Sequence, residues 1–161
     1  TGSALAVDYK CSPVKLVVPY SAAGAADVAS RIVAQKLEAA LKQHPQSYAL
    51  NITYAESALM LGDPAAATAR LQKFLDFRSD EPRVYGLLAR AAGDQRQQMQ
   101  SHQYQSEYYY LLGNLKDAIL QLEIALKSPG ISFYDASRLE SRLAEMRAEQ
   151  AEEDDKRSGR P

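Results

Sequence analysis

Six short breaks divide the sequence, and each of them contains a glycine or a proline. Between the breaks, alanine, leucine, glutamate, glutamine and arginine predominate, and apolar residues recur at intervals of three and four, the spacing of one face of an α-helix. Glycine commonly follows a helix end and proline commonly begins a helix, so each break indicates one helix ending and another starting. The breaks lie at 44–47, 61–64, 78–82, 92–94, 112–114 and 128–132.

Helix pairs at this spacing resemble tetratricopeptide repeats, units of about 34 residues in which helix A, a turn and helix B form a hairpin. The frame places the turn glycines at Gly62, Gly93 and Gly113. Ala55 and Gly86 then occupy the positions where paired helices approach closely and only small residues fit. The apolar stripe of helix B comprises Ala67, Leu71 and Leu75 in the first unit, and Ala118, Leu122, Ala125 and Leu126 in the third. The end of a preceding helix B fits Leu37, Ala40, Leu41 and Pro45.

The glycine spacing is uneven, because Gly93 and Gly113 are too close for a full repeat. One helix, roughly Gln95 to Leu111, is therefore predicted to serve as helix B of the second unit and helix A of the third. The last helix, Phe133 to about Glu152, begins with a capping-box-like pattern and has the charged outer face of a solenoid cap.

The predicted fold is an all-α, tetratricopeptide-like solenoid of helical hairpins with a C-terminal capping helix. The sequence predicts an N-terminal extension with one strand and a turn over residues 1–26, a helical domain over residues 27–152 and a disordered charged tail over residues 153–161.

Composition excludes several functions. The net charge is −1 and the calculated pI about 6.1, so no nucleic-acid partner is expected. Cys11 is the only cysteine, so the chain offers neither an intrachain disulfide nor a multi-cysteine metal site, and an exposed thiol is expected. No apolar run approaches the roughly 20 residues that span a bilayer. His44 is expected to be a solvated loop residue and His102 to pack within a helix, so no metal and no cofactor is predicted.

The segment "SEYYYLLGNLKDAILQLEIALKSPGISFYDASRLESRLAEMRAE" joins a tyrosine-rich helix, a repeat and a terminal helix. From about Pro45 to Gln150 the chain resembles the C-terminal tetratricopeptide tail of BepA-type periplasmic zinc metalloproteases. In that family the tail contacts the protease domain and supports interactions with outer-membrane assembly components. The resemblance implies a periplasmic, protein-binding domain. The family's HExxH zinc motif is absent, since the two histidines are far apart, and the chain is not expected to be an enzyme.

The opening, "PVKLVVPYSAAGAAD", combines a strand-like segment, a small-residue turn and a helix start. From Val7 to about Leu41 it resembles the N-terminus of tripartite-tricarboxylate solute receptors. In that family the turn and helix N-terminus bind a ligand carboxylate through backbone N–H groups; the matching positions are Ser21, Ala22, Ala23, Gly24, Ala25 and Asp27. That receptor fold needs two α/β domains, so here the helix is interpreted as a preceding helix B and the strand as vestigial. Two alternatives stay open: a remnant that binds small carboxylates, and a homodimer formed by strand addition.

A protein or peptide segment is the predicted partner, held in the concave groove that the A helices of such repeats line. The predicted groove residues are Glu56, Arg83, Arg90, Gln103, Glu107 and Tyr110. The spacing of Arg83 and Arg90 places both on one helix face, where they would pair with acidic or carbonyl groups of a docked segment. The alternative is an ordinary solvated face. The tyrosines at 104 and 108–110 are expected mainly to pack neighbouring helices, with peptide contact as the alternative.

Overall fold

The computed structural model describes residues 25–159, with side chains from residue 31 onward. Within this range the chain forms helices and no strand, and each helix packs against the next along the chain. The helices are α1 (Ala25–Gln43), α2 (Tyr48–Met60), α3 (Pro64–Leu75), α4 (Pro82–Asp94), α5 (Gln98–Leu111), α6 (Leu115–Leu126) and α7 (Phe133–Ser158). The predicted all-α solenoid of tetratricopeptide-like hairpins is confirmed. The predicted strand and most of the receptor-like turn lie outside the described residues.

Two turns are built on glycines, as predicted. Gly62 after α2 and Gly113 after α5 have φ angles of 75° and 74°, the left-handed conformation that glycine adopts without steric cost. In each turn the next residue donates its backbone N–H to a carbonyl five residues back, Asp63 to Ala58 at 2.8 Å and Asn114 to Tyr109 at 2.9 Å. This Schellman pattern satisfies a carbonyl that the helix end leaves open.

The turn glycine of the second unit was wrongly placed at Gly93. Gly93 lies inside α4, and the left-handed position belongs to Arg96, with a φ of 60°. Gln97 donates its N–H to the carbonyl of Ala92 at 2.9 Å, which repeats the Schellman bond of the glycine turns. Arg96 follows Gly62 by one repeat length of about 34 residues, so the repeat period, rather than the residue type, locates this turn.

The starts of α3 and α7 are fixed by side-chain caps. Asp63 accepts the N–H of Ala66 at 3.0 Å ahead of α3, and Ser132 accepts the N–H of Asp135 at 3.0 Å ahead of α7. These bonds satisfy N–H groups that have no partner within the helix. The predicted start of the last helix is thereby confirmed.

Two clusters of apolar side chains form the core. The first joins α2, α3 and α4 through residues that include Ile52, Leu71, Phe74 and Leu88, and the second joins α6 and α7. Members of the second cluster include Leu115, Leu122, Leu139, Leu143 and Met146. Ala55, predicted at a helix crossing, is fully buried, and so are Ala67, Ala118 and Ala125 of the predicted helix B stripes.

Helix α5 lies between the two clusters and packs against both α4 and α6. Its buried positions are polar, Ser101 and Ser106, and the Ser101 hydroxyl donates to the carbonyl of Ala89 at 2.9 Å. The ring of Tyr108 lies beside Gly86, where an added Cβ would be 3.5 Å from it. Gly86 therefore lies in contact with α5 at a position predicted to be small, and an added Cβ would make an ordinary van der Waals contact there.

Helix α7 is longer than predicted. It continues past Glu152 to Ser158, through a segment predicted to be disordered. Pairs four residues apart, Glu152 with Lys156 at 3.8 Å and Glu153 with Arg157 at 3.7 Å, favour the helical form there. At the other end, α1 begins two residues before the predicted boundary. None of the described helices is long and apolar enough to cross a membrane.

Candidate functional site

The predicted groove residues fall into two groups in the structure. The first group joins α2 to α4 through Glu56 and Arg83, whose carboxylate and guanidinium form an ion pair. The hydrogen bond from Arg83 to Glu56 raises the pKa of that guanidinium above its ordinary value. The side chain of Arg83 remains 61% exposed, so the charge stays accessible to a docked segment.

Arg90 lies two helical turns after Arg83 on the same face of α4. Its nearest carboxylate is Asp94 on its own helix, with an N–O distance of 4.0 Å, and its side chain is also 61% exposed. The two arginines therefore share a face of α4, as their spacing predicted.

The second group joins α5 to α7. The Glu107 carboxylate accepts two hydrogen bonds from Arg142, one from Nε and one from Nη2, each 2.9 Å long. The guanidinium also lies 4.4 Å above the centre of the Tyr110 ring. The bond with Glu107 is the main reason that the pKa of Arg142 is raised. A bidentate pair and a cation–π contact thus link α7 to α5 through long side chains.

Gln103 extends this contact by one turn of α5. Its side-chain oxygen accepts a hydrogen bond from Arg138 of α7 at 3.1 Å. Three of the six predicted groove residues, Gln103, Glu107 and Tyr110, thus contact α7 within the chain. Sequence reasoning missed their partners Arg138 and Arg142, because it treated α7 only as a cap.

Tyr85 of α4 was not among the predicted groove residues. Its hydroxyl donates to the carbonyl of Ser79 at 3.1 Å. Burial raises the pKa of the phenol, and the nearby carboxylate of Glu107 raises it further.

Exposed aromatic side chains lie at the start of α7. Phe133 is 90% exposed and Tyr134 is 76% exposed. They border a cleft of about 510 Å³ along α7 that also includes Arg138 and Arg142. Neither aromatic residue was predicted as a site residue; their position directly after the Ser132 cap, outside the apolar stripe of α7, was the available signal.

The tyrosines of α5 pack neighbouring helices. Tyr108 contacts Gly86 and lies edge-on to Tyr109, with ring centres 5.4 Å apart, and the Tyr104 hydroxyl accepts a hydrogen bond from Gln72 of α3 at 3.1 Å. All are partly buried, in agreement with the packing interpretation.

The histidines occupy the environments expected of them. His44 is exposed in the turn after α1, and Nδ1 of His102 is 2.8 Å from the side-chain oxygen of Gln121 on α6. Across residues 31–159, no group of histidine, cysteine, aspartate and glutamate is arranged to hold a metal ion. Cys11 lies outside the described range.

Residues 20–91 match the family described as Tetratricopeptide repeat. The match runs from the residues just before α1 to the end of α4, and it supports a tetratricopeptide domain there. Repeats of this family generally mediate protein–protein interactions and are typically non-catalytic. No curated protein matches the sequence significantly.

Proposed function

We propose that the chain is a non-catalytic interaction domain that holds a segment of a partner protein against the surface formed by α2, α4, α5 and α7. The carrying observation is the pair Arg83 and Arg90, two guanidinium groups on one face of α4 that are each 61% exposed. Guanidinium groups bind carboxylates and backbone carbonyls through directed hydrogen bonds. Tyr85 adds a rigid, amphipathic ring of the kind favoured at interfaces.

The proposed biological setting of the domain is the periplasm. Resemblance of the segment from about Pro45 to Gln150 to BepA-type tails supports a periplasmic domain associated with a metalloprotease-like protein. In that setting the domain would bring envelope quality control to outer-membrane assembly components. The tyrosine-rich α5 and the "FYDASRLESRL" start of α7 carry that resemblance.

A charge-reversed variant tests the surface. We expect Arg83→Glu/Arg90→Glu to lose capture of partner proteins from a bacterial envelope extract, because two cations become anions on the docking face. The variant Lys156→Glu/Arg157→Glu makes the same change in net charge at the far end of α7, and it should capture the same proteins as the unmodified domain. Circular dichroism of both variants checks that the helices are intact.

Equal capture by all three proteins would contradict the proposed docking surface. Capture that is lost equally in both variants would show that total charge, rather than the face of α4, determines binding, and would contradict it as well.

A further inference from the structure

A second open cleft lies between α1, α2 and α3. Its volume is about 470 Å³, within the range of ligand-binding clefts in proteins. Helix α1 packs on α2 and not closely on α3, so the space between α1 and α3 stays open. This cleft is lined by Tyr54 of α2, whereas Glu56 of the proposed docking surface lies two residues further on, on nearly the opposite side of that helix.

Three cations and one carboxylate line this cleft: Lys42, Arg70 and Lys73 against Glu38. The hydroxyl of Tyr54 donates a hydrogen bond to Glu38 at 3.1 Å. Among the described residues, no carboxylate lies within 4.0 Å of any of the three cations. The cleft is thus electropositive in a chain whose net charge is −1.

Arg70 is held in place by neutral oxygens. Its Nε donates to the side-chain oxygen of Asn51 at 2.6 Å, and its Nη2 donates to the carbonyl of Pro45 at 3.0 Å. Asn51 is itself fully buried and oriented by bonds to the carbonyls of Pro45 and Ser47, at 3.0 and 2.7 Å. A buried amide therefore orients the guanidinium without neutralising it.

The arginines of α4 and α7 differ in this respect. Every arginine of α4 and of α7 has a carboxylate within 4.0 Å. Arg70 is instead fixed by a buried polar network, and such preorganisation lowers the entropic cost of binding an anion. Lys73 lies one turn further along α3, on the same face, and Lys42 faces it from α1.

We infer that this cleft binds an acidic, extended segment of a partner protein through the carboxylates of its side chains. The cations supply charge-assisted hydrogen bonds, with Arg70 as the rigid centre. Leu41, Pro45, Ala66 and Ala69 also line the cleft and offer apolar contact to the aliphatic stems of glutamate side chains, which a small inorganic anion does not have. The inference goes beyond the proposed docking surface, because it assigns a second site on another part of the solenoid.

A peptide-binding experiment tests the cleft. Fluorescence anisotropy compares a short labelled Glu/Ala peptide with a Gln/Ala peptide of the same length. We expect the acidic peptide to bind, the neutral one not to bind, and added salt to weaken the complex. Lys42→Glu/Lys73→Glu should weaken binding by about tenfold or more, because it changes the sign of two of the three charges.

The matched control is Lys116→Glu/Lys127→Glu, which makes the same charge change at two exposed lysines of α6 and the turn after it. It should bind the acidic peptide as the unmodified protein does. Arg70→Lys keeps the charge and loses the planar hydrogen-bond geometry, so weaker binding by that variant supports the rigid-centre role. Its fold is checked by circular dichroism.

The outcomes also separate this inference from the proposed function. Arg83→Glu/Arg90→Glu should retain peptide binding, and Lys42→Glu/Lys73→Glu should retain capture of partners by the α4 face. Absence of binding, equal binding of the neutral peptide, or equal losses in the Lys42/Lys73 and Lys116/Lys127 variants would each overturn the inference. The inference would also be overturned if light scattering showed that the protein self-associates in a salt-sensitive way. The cleft would then be occupied by the acidic end of α7 from a second copy.

Discussion

Single residues at the helix ends determine where the chain turns, and they do so through backbone conformation rather than side-chain contact. At Gly62 and Gly113 an added Cβ would meet no atom within 4 Å, so a side chain there would cost backbone strain alone. Arg96 adopts the same left-handed conformation and carries that strain. Gly93, inside α4, has no positive φ and lies in contact distance of the Ser101 hydroxyl, at 3.7 Å from an added Cβ.

Substitutions at these positions should change stability in different directions: one at Gly62 should destabilise the fold, and those at Arg96 and Gly93 should stabilise it. Gly62→Ala should lower the free energy of unfolding by about 1 kcal/mol, because alanine is strained in the left-handed region. Arg96→Gly should raise it by about 0.5–1 kcal/mol by relieving the same strain. Gly93→Ala should also raise it, by about 0.5–1 kcal/mol, since alanine favours a helix interior. Urea denaturation measures the free energy of unfolding of all three variants. Destabilisation by Gly93→Ala would contradict the position of Gly93 in the interior of α4.

At the scale of the elements, long side chains join helices that are two apart in the chain. The Arg142–Glu107 contact joins α7 to α5, and the Arg83–Glu56 contact joins α4 to α2. The two pairs differ in exposure, with side chains 29% and 22% exposed in the first and 61% and 38% in the second. Less solvent around a bidentate pair means less screening, so the first should stabilise the fold more.

Double-mutant cycles test this difference between the pairs. For Glu107→Gln and Arg142→Met, we expect a coupling energy of about 1 kcal/mol in urea denaturation. The cycle of Glu56→Gln and Arg83→Met serves as the matched control, and its coupling should be smaller. Added salt should reduce the control coupling proportionally more, because exposed charges are screened more effectively. Equal couplings in the two cycles would show that the contact between α5 and α7 is an ordinary surface ion pair.

The elements also show why part of the structure was predictable from the sequence. Five of the six helix breaks lie at the predicted glycines and prolines. Glycine permits backbone conformations that other residues avoid and proline fixes φ, so both residue types mark a helix end in the sequence itself. The turn at Arg96 has no such signature, since arginine is a normal helix residue. The extension of α7 was missed because a run of charges is typical of disorder, and the helix-favouring ion pairs within it depend on spacing rather than composition.

The candidate site was less predictable than the fold. Repeat positions placed Arg83 and Arg90 on one face of α4. They could not show that Glu107 and Gln103 would meet arginines some 35 residues further along the chain, because that contact depends on how α7 packs. The hydrogen bonds from Arg70 to uncharged oxygens could not be predicted either, since they join residues of a turn and two helices.

Across the residues that the structure describes, two apolar clusters are joined by helix α5, whose buried positions are polar. The first cluster spans α2 to α4 and the second spans α6 and α7, while α5 contributes the buried serines at 101 and 106. In a solenoid each unit is stabilised mainly by itself and its neighbours, so damage to one cluster is transmitted only through the connecting helix. The stability of the two halves should therefore be separable.

Hydrogen exchange measured by mass spectrometry tests this separation. Leu71→Ala leaves a cavity in the first cluster, where Leu71 is fully buried, and should cost about 2–5 kcal/mol locally. Amide protection should fall strongly across α2 to α4 and much less across α6 and α7. Leu122→Ala, at an equally buried position of the second cluster, is the matched control and should reverse the pattern. If either substitution lowered protection equally in both halves, α5 would couple the clusters into one cooperative unit, because only a strongly coupled interface makes separate cores unfold together.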